Sequence, residues 1–232
     1  MTPVGSVQSG NAGAQQASAA KQNDVTAIDI LLDPDATMIQ HATAANARLL
    51  QNFPKGYTLD GAHAPHISVL QRYVKTANLD QVYAAADKVF ATENPPSWKL
   101  TAFKYYYIPA KPVGLGGIVI KPTPDLLRLQ QKLIDAVKPF TAPTGTAAAF
   151  VTTAQDPDII PQAIQYIGAF VPDHSGDHYA PHVTIGIGLI DFLDKMVAAP
   201  FDNFTFSPVG ASVYHLGNYG TAMKKLHAVK LK

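Results

Sequence analysis

Apolar and polar residues form two kinds of pattern along this chain, one typical of strands and one typical of helices, and segments of the two kinds alternate. Compact apolar runs rich in β-branched residues predict strands over residues 25–32, 65–74, 98–108, 114–120 and 181–188. Three short strands are expected near the C-terminus, around Phe204, around Val213 and over 225–231. Helical spacing links Met38, Ala42, Ala45, Leu49 and Leu50, and further helices are predicted over 79–91, 124–137, 158–170 and 190–199.

The order of these elements predicts a fold class. Neighbouring strand pairs are joined by short turns, which favours antiparallel sheets with helices on one side, an α+β arrangement. The alternative is an α/β domain with parallel strands. Residues 1–24 are rich in Gly, Ala, Ser and Gln without periodicity, so we expect a flexible leader followed by a single domain over 25–232.

A short motif occurs once in each half of the chain. HAPHISVL (63–70) and HYAPHVTI (178–185) both place Ala-Pro-His before an apolar, a hydroxyl and a second apolar residue. The central histidines, His66 and His182, are 182 − 66 = 116 residues apart, half of the 232 residues. A third His-x-Thr, at 41–43, lies in a helical pattern, where residues two apart diverge. Two related lobes facing each other would bring the two motif strands to one cleft.

The motif residues carry the chemistry of phosphoester cleavage. Residues two apart in a strand share a face, so His66 lies beside Ser68 and His182 beside Thr184. A neutral imidazole can take a proton from an attacking water or hydroxyl, while a protonated one supplies a proton to the leaving oxygen. The hydroxyls can donate hydrogen bonds to phosphate oxygens. This set predicts displacement at phosphorus without a metal; the alternative is two ordinary strand histidines bonded to backbone groups.

The same alternation places further candidates around a phosphate. Arg72 falls on the predicted His66 face, where it would add a cation. Gly186 and Gly188 fall on the predicted His182 face, where bare backbone would leave room for a phosphate. These positions complete the predicted phosphate site.

Aromatic residues near the motifs are candidates for stacking a base. Tyr105 and Tyr107 are expected to share a strand face with Phe103, and Tyr179 precedes the second motif. The alternative is that these rings belong to the core, since aromatic residues are common in strands.

A histidine series raises the question of a metal. His174, His178 and His182 are spaced by four, which on a helix would suggest zinc and a metal-dependent hydrolase. Gly176 and Pro181 argue against a helix there, so we expect His174 and His178 in a loop and no metal or other cofactor.

Composition narrows the partners. The formal net charge is +1, so the chain lacks the excess of basic residues that would bind a long nucleic-acid duplex. Cysteine is absent, which removes disulfides, thiol nucleophiles and cysteine metal sites. No apolar run reaches the roughly 18 residues of a membrane span. We expect a monomer that takes a small anionic substrate in a local pocket; neither a cytoplasmic nor an exported location is favoured.

These residues resemble the two-histidine phosphoesterases, which include 2′-5′ RNA ligase-like and cyclic nucleotide phosphodiesterase proteins. The resemblance spans about residues 25–231 and rests on HISV (66–69) and HVTI (182–185). It implies two pseudo-symmetric lobes, each an antiparallel sheet with helices outside, around a central cleft. It also implies that His66 and His182 form the acid–base pair and that Ser68 and Thr184 bind phosphate.

The resemblance implies 2′,3′-cyclic phosphates, 2′-5′ linkages or related small phosphodiesters as substrates, so we expect a small phosphodiester or nucleotide as the partner, with RNA ends as a further class. Two departures stand out: Ser68 replaces the commoner threonine, and Gly186–Gly188 follows the second motif where many relatives carry arginine or lysine. A non-catalytic module that binds nucleotides or RNA ends is the alternative from another functional class.

Overall fold

Two four-stranded sheets form the frame of the protein in the computed structural model, which describes residues 24–154 and 156–231. In the first sheet the strand order is β2-β1-β7-β8, with β1 at Val25–Pro34, β2 at Ile67–Lys75, β7 at Pro208–Leu216 and β8 at Ala222–Ala228. In the second the order is β5-β4-β3-β6, with β3 at Leu100–Ala110, β4 at Val113–Ile120, β5 at His182–Leu189 and β6 at Phe204–Phe206. Every strand pair in these sheets is antiparallel, so the predicted α+β class is confirmed.

Five α-helices connect and flank the sheets in the described residues: α1 at Ala36–Asn52, α2 at Leu79–Phe90, α3 at Pro124–Val137, α4 at Pro161–His174 and α5 at Ile190–Ala198. The side chain of Asp35 accepts the backbone N–H of Thr37 at 3.0 Å and so fixes the start of α1. Thr123 caps α3 in the same way, with Pro124 at its first position, where a missing N–H costs nothing. No helix in the described ranges has the length and apolar content needed to cross a membrane.

The core lies between the sheets and the helices and joins both halves of the chain. Its fully buried members include Ile28, Ile30 and Ile67 from the first sheet and Ile118, Val183 and Ile185 from the second. One apolar layer therefore backs both motif strands and holds them in a fixed relation.

The motif strands β2 and β5 are edge strands of their respective sheets, and these two edges contact each other. The Tyr179 hydroxyl donates to the Ser68 carbonyl at 2.8 Å, which ties the approach to β5 to strand β2. Buried Gln130 of α3 donates to the Val69 carbonyl at 3.1 Å and accepts the Gly176 N–H at 3.0 Å. Polar contacts thus lock the two halves together beside the cleft.

One helix differs from its sequence prediction at both ends. The helix predicted over 158–170 begins at Pro161 instead, because a proline holds the residue before it extended and favours the first helical position. It then continues past Phe170 to His174 with Pro172 inside it. The predicted leader over 1–24 lies outside the described residues apart from Asp24.

Candidate active site

One cleft of about 510 Å³ is lined by both motif histidines and both motif hydroxyls, His66, Ser68, His182 and Thr184. The two histidines are held in the same way. His66 Nδ1 lies 2.6 Å from the carbonyl oxygen of Ala64, and His182 Nδ1 lies 2.9 Å from that of Ala180. A carbonyl only accepts, so each Nδ1 carries a proton and each Nε2 is left for chemistry.

Each motif strand carries a β-bulge three residues after its histidine. In β2, Leu31 pairs with Ser68 and Ile30 with Leu70, so Val69 is passed over. In β5, Ile185 is passed over in the same manner. A bulge shifts the alternation of side chains by one residue, so the cleft face continues with Gln71 in β2 and Ile187 in β5. The internal repeat therefore extends to an irregularity of the backbone.

A buried carboxylate lies beneath the first motif. Asp29 is 0% exposed and accepts hydrogen bonds from the Ser68 hydroxyl and, at 2.9 Å, from Gln71 Nε2. Its Oδ2 is 3.5 Å from His66 Nε2, and its buried Oδ1 has no hydrogen-bond partner in the described part of the chain. Sequence reasoning missed this residue. The available signal was a lone acid inside the apolar run VTAIDILL.

The second motif has an apolar environment at the equivalent place. The Asp29–Gln71 pair of the first sheet corresponds to the Leu115–Ile187 pair of the second, counted from the two bulges. The Ser68 hydroxyl donates to Asp29, whereas the Thr184 hydroxyl forms no hydrogen bond with another described residue. The two lobes thus offer similar backbones and different electrostatics.

This difference separates the two histidines. Burial lowers the pKa of His66, but the nearby Asp29 carboxylate, the Ala64 carbonyl and Asp33 together raise that pKa above its ordinary value. Burial lowers the pKa of His182, and the neighbouring His66 lowers it further. Near neutral pH, His66 is therefore the better proton donor and His182 the better proton acceptor.

The bulges move several predicted residues away from the cleft. Arg72 shares its strand face with Leu70 and Val74 of the core and does not line the cleft; Gln71 stands there instead. Gly186 and Gly188 face helix α1, not the phosphate site. A Cβ on Gly186 would lie 2.6 Å from Asn46 Nδ2, so the glycines serve close packing of the helix on the sheet.

The predicted stacking tyrosines Tyr105, Tyr107 and Tyr179 do not line the cleft of about 510 Å³. A bulge at Phe103 precedes them, and Tyr105 packs edge-on against Phe201 while the Tyr107 hydroxyl donates to Asp194 of α5. Tyr179 is 7% exposed, with its hydroxyl bonded to the Ser68 carbonyl. Tyr106 contacts the second motif directly, with its ring edge-on to that of His182 at 4.9 Å between centroids.

The three histidines spaced by four, His174, His178 and His182, lie in three different elements. His174 ends α4, which corrects the expected loop, and its ring stacks on Tyr166 at 4.3 Å. His178 lies in a short 3-10 turn and His182 begins β5. Within the described ranges, no group of three or more His, Cys, Asp or Glu side chains is arranged to hold a metal ion.

Solved structures resemble this fold, although the sequence matches no protein-family model and no curated protein. TT0787 of Thermus thermophilus matches with a TM-score of 0.52 and 14% identity over 89% of this chain and 98% of that one. The chain shares the fold of TT0787.

Two more distant structures are similar over the same extent. E. coli LigT complexed with 3′-AMP matches with a TM-score of 0.49 and 13% identity over 89% of this chain and 99% of that one. A protein described as a phosphoesterase matches with a TM-score of 0.44 and 11% identity over 89% of this chain and 98% of that one.

Proposed function

We propose that this protein is a metal-independent phosphodiesterase that cleaves a small phosphodiester with His66 and His182 as its acid–base pair. The observation that carries the proposal is the meeting of two His-x-Ser/Thr motifs at one cleft, with both Nδ1 atoms bound to the carbonyl two residues earlier. Both Nε2 atoms then remain for proton transfer, which is the requirement of a two-histidine mechanism.

The reaction proceeds by in-line displacement at phosphorus. His182 Nε2 removes a proton from water as the water oxygen bonds to phosphorus. The bond from phosphorus to the leaving oxygen breaks, and that oxygen takes the proton on His66 Nε2. His66 is then neutral and His182 protonated, and proton exchange with solvent restores the starting forms. A 2′,3′-cyclic phosphate would open to a phosphomonoester; an alcohol in place of water would give transesterification.

The hydroxyls have unequal parts in this scheme. Thr184 has a proton to give to a non-bridging phosphate oxygen, where a hydrogen bond strengthens as charge develops. The Ser68 proton is directed to Asp29, so Ser68 acts first through the carboxylate that favours the protonated form of His66. Asp29 does not touch the substrate in this scheme and is a positioning residue.

A turnover panel tests the proposal. Purified protein is incubated with nucleoside 2′,3′-cyclic phosphates and 2′-5′ dinucleotides, with and without EDTA, and the products are separated by chromatography. We expect turnover of at least one class, unchanged by EDTA, because two imidazoles and a hydroxyl supply the needed groups. Binding without turnover would favour the nucleotide-binding module, and activity lost to EDTA and restored by zinc would favour a metal-dependent hydrolase.

A further inference from the structure

The cleft beside the histidine pair is walled mainly by apolar side chains. One part of the lining is the β3–β4 hairpin, with Ile108 and Val113; another is α4 with the residue before it, represented by Ile167 and Ile160. Ile108 is 43% exposed although it lines a cavity of about 510 Å³. Exposed apolar surface inside a concave site is a feature of ligand-binding pockets, because the ligand covers it.

Few charges line this cleft. Among its described lining residues there is one lysine, Lys111, with no arginine and no acidic residue. Lys111 is exposed in the hairpin turn, at the rim of the cleft. One imidazolium at His66 matches the single negative charge of a phosphodiester. The lining offers no buried cation to a second phosphate, so burying one in this cleft would be costly.

Tyr219 forms part of the cleft in a strained conformation. Its φ is 56°, a left-handed value that residues other than glycine seldom adopt. The preceding Asn218 holds it there: Asn218 Oδ1 accepts the N–H of Tyr219 at 3.1 Å and that of Ile160 at 3.0 Å. The Tyr219 side chain lines the cleft and the residue is 37% exposed. Strain that the surroundings enforce on an exposed aromatic residue of a site indicates a role for its ring.

We propose that this cleft binds an uncharged, mainly apolar or planar substituent of a phosphodiester that carries one negative charge, with Tyr219 and Ile108 against that substituent. The inference rests on the proposed function, because the histidine pair is taken to hold the phosphate. Nucleobases and aryl groups share the required chemistry, and the experiment separates them. Substrates with a second phosphate are disfavoured.

Three probes test the inference: adenosine 2′,3′-cyclic phosphate, the same compound with a 5′-phosphate, and the aryl diester 4-nitrophenyl phenyl phosphate. Kd is measured by calorimetry on the His182→Ala protein, which keeps the His66 cation and slows turnover, and kcat/KM is measured on the wild type. We expect the 5′-phosphorylated probe to bind about tenfold or more weakly than its parent, because its extra charge is desolvated without a partner. A preference for the adenosine or the aryl probe shows which source the site is built for.

Substitutions identify the residues on which the binding of these probes depends. Tyr219→Ala should raise the Kd of the two probes without a 5′-phosphate on the order of tenfold. Tyr219→Phe should restore binding, because the site requires a flat ring. Ile187→Lys adds a cation and should narrow the gap between the two adenosine probes, whereas the neutral control Ile187→Met should not. Tyr219→Gly relieves the positive φ and should raise the Tm while binding weakens.

The outcomes separate the two proposals. Equal or tighter binding of the 5′-phosphorylated probe would overturn the inference, whatever the turnover. The expected order of Kd values, with no turnover of any probe or of the 2′-5′ dinucleotides, would overturn the proposed function and support the inference. Failure of all three probes to bind would overturn the inference.

Discussion

At the residue scale, the two motifs share their backbone contacts and differ in the groups beneath their hydroxyls. Asp29 and Gln71 lie under the first motif, and Leu115 and Ile187 occupy the equivalent positions near the second. The Asp29 carboxylate helps to raise the pKa of His66, and burial lowers that of His182, so the two pKa values shift in opposite directions. Pairs of titratable groups with opposed shifts are how enzymes assign acid and base roles near neutral pH.

Asp29→Asn tests this assignment. The charge of Asp29 holds the pKa of His66 up, so its removal lets burial lower that pKa. The alkaline limb of the kcat/KM profile, where His66 loses its proton, should move to lower pH. The measurement is the pH–rate profile of the variant beside that of the wild type, with Tm as the control for folding. An alkaline limb that stays in place would contradict the assignment, since a purely structural role would change the rate without moving the limb.

The two hydroxyls should respond differently to truncation. Thr184→Ala removes a donor to the transition state and should lower kcat by about 10²–10³. Ser68→Ala removes a partner of buried Asp29, so its unfolding free energy should fall by about 1–3 kcal/mol, with a smaller loss of kcat. Kinetics and chemical denaturation of both variants check the contrast. Equal kcat losses with unchanged stability would show that Ser68 contacts the phosphate as Thr184 does.

At the scale of elements, the sequence predicted most strands and helices because their apolar periods are regular. The helix over 124–137 matches α3 in full, and the predicted strands all form. The β-bulges explain why the sequence assigned some residues to the wrong face of their strand. A strict period of two puts Arg72 with His66 and Gly186 with His182, but a passed-over residue in each strand reverses the assignment.

Other features could not be read from local pattern. The contact of Asp29 with Ser68 joins residues 39 apart in the chain, and the strain at Tyr219 depends on Asn218 being held by Ile160. Both arise from tertiary packing, which periodicity does not report. Only the lone acid in an apolar strand pointed to Asp29 in advance.

The bulge of β5 depends on Gly186. Its φ is 121°, and a Cβ there would meet the side chain of Asn46, which donates to the Ile185 carbonyl at 2.9 Å. Gly186→Ala should therefore lower the unfolding free energy by about 1–3 kcal/mol. Gly168 is the matched control: it is exposed in α4, its nearest contact to an added Cβ is 4.0 Å, and Gly168→Ala should stabilise by about 0.5–1 kcal/mol. Denaturant melts measure both, and a harmless Gly186→Ala would show that the bulge tolerates a side chain.

At the scale of the whole molecule, the cleft lies where two four-stranded sheets present their edge strands to each other. The motif at one edge supplies His66 and the motif at the other supplies His182, so neither sheet contains the whole of the proposed acid–base pair. The shared core and the bridge through Gln130 hold the two sheets in register. The two histidines should therefore act as a single catalytic unit.

The most direct test of that claim is the pH dependence of kcat/KM on the best substrate for the wild type, His66→Ala, His182→Ala and the double variant. We expect a bell-shaped profile for the wild type, with its acid limb below and its alkaline limb above the ordinary imidazole pKa of about 6.5. Each single variant should lose about 10²–10⁴ in rate together with its own limb. The double variant should be little slower than the slower single one. A flat wild-type profile, or wild-type turnover in His182→Ala, would contradict the two-histidine mechanism.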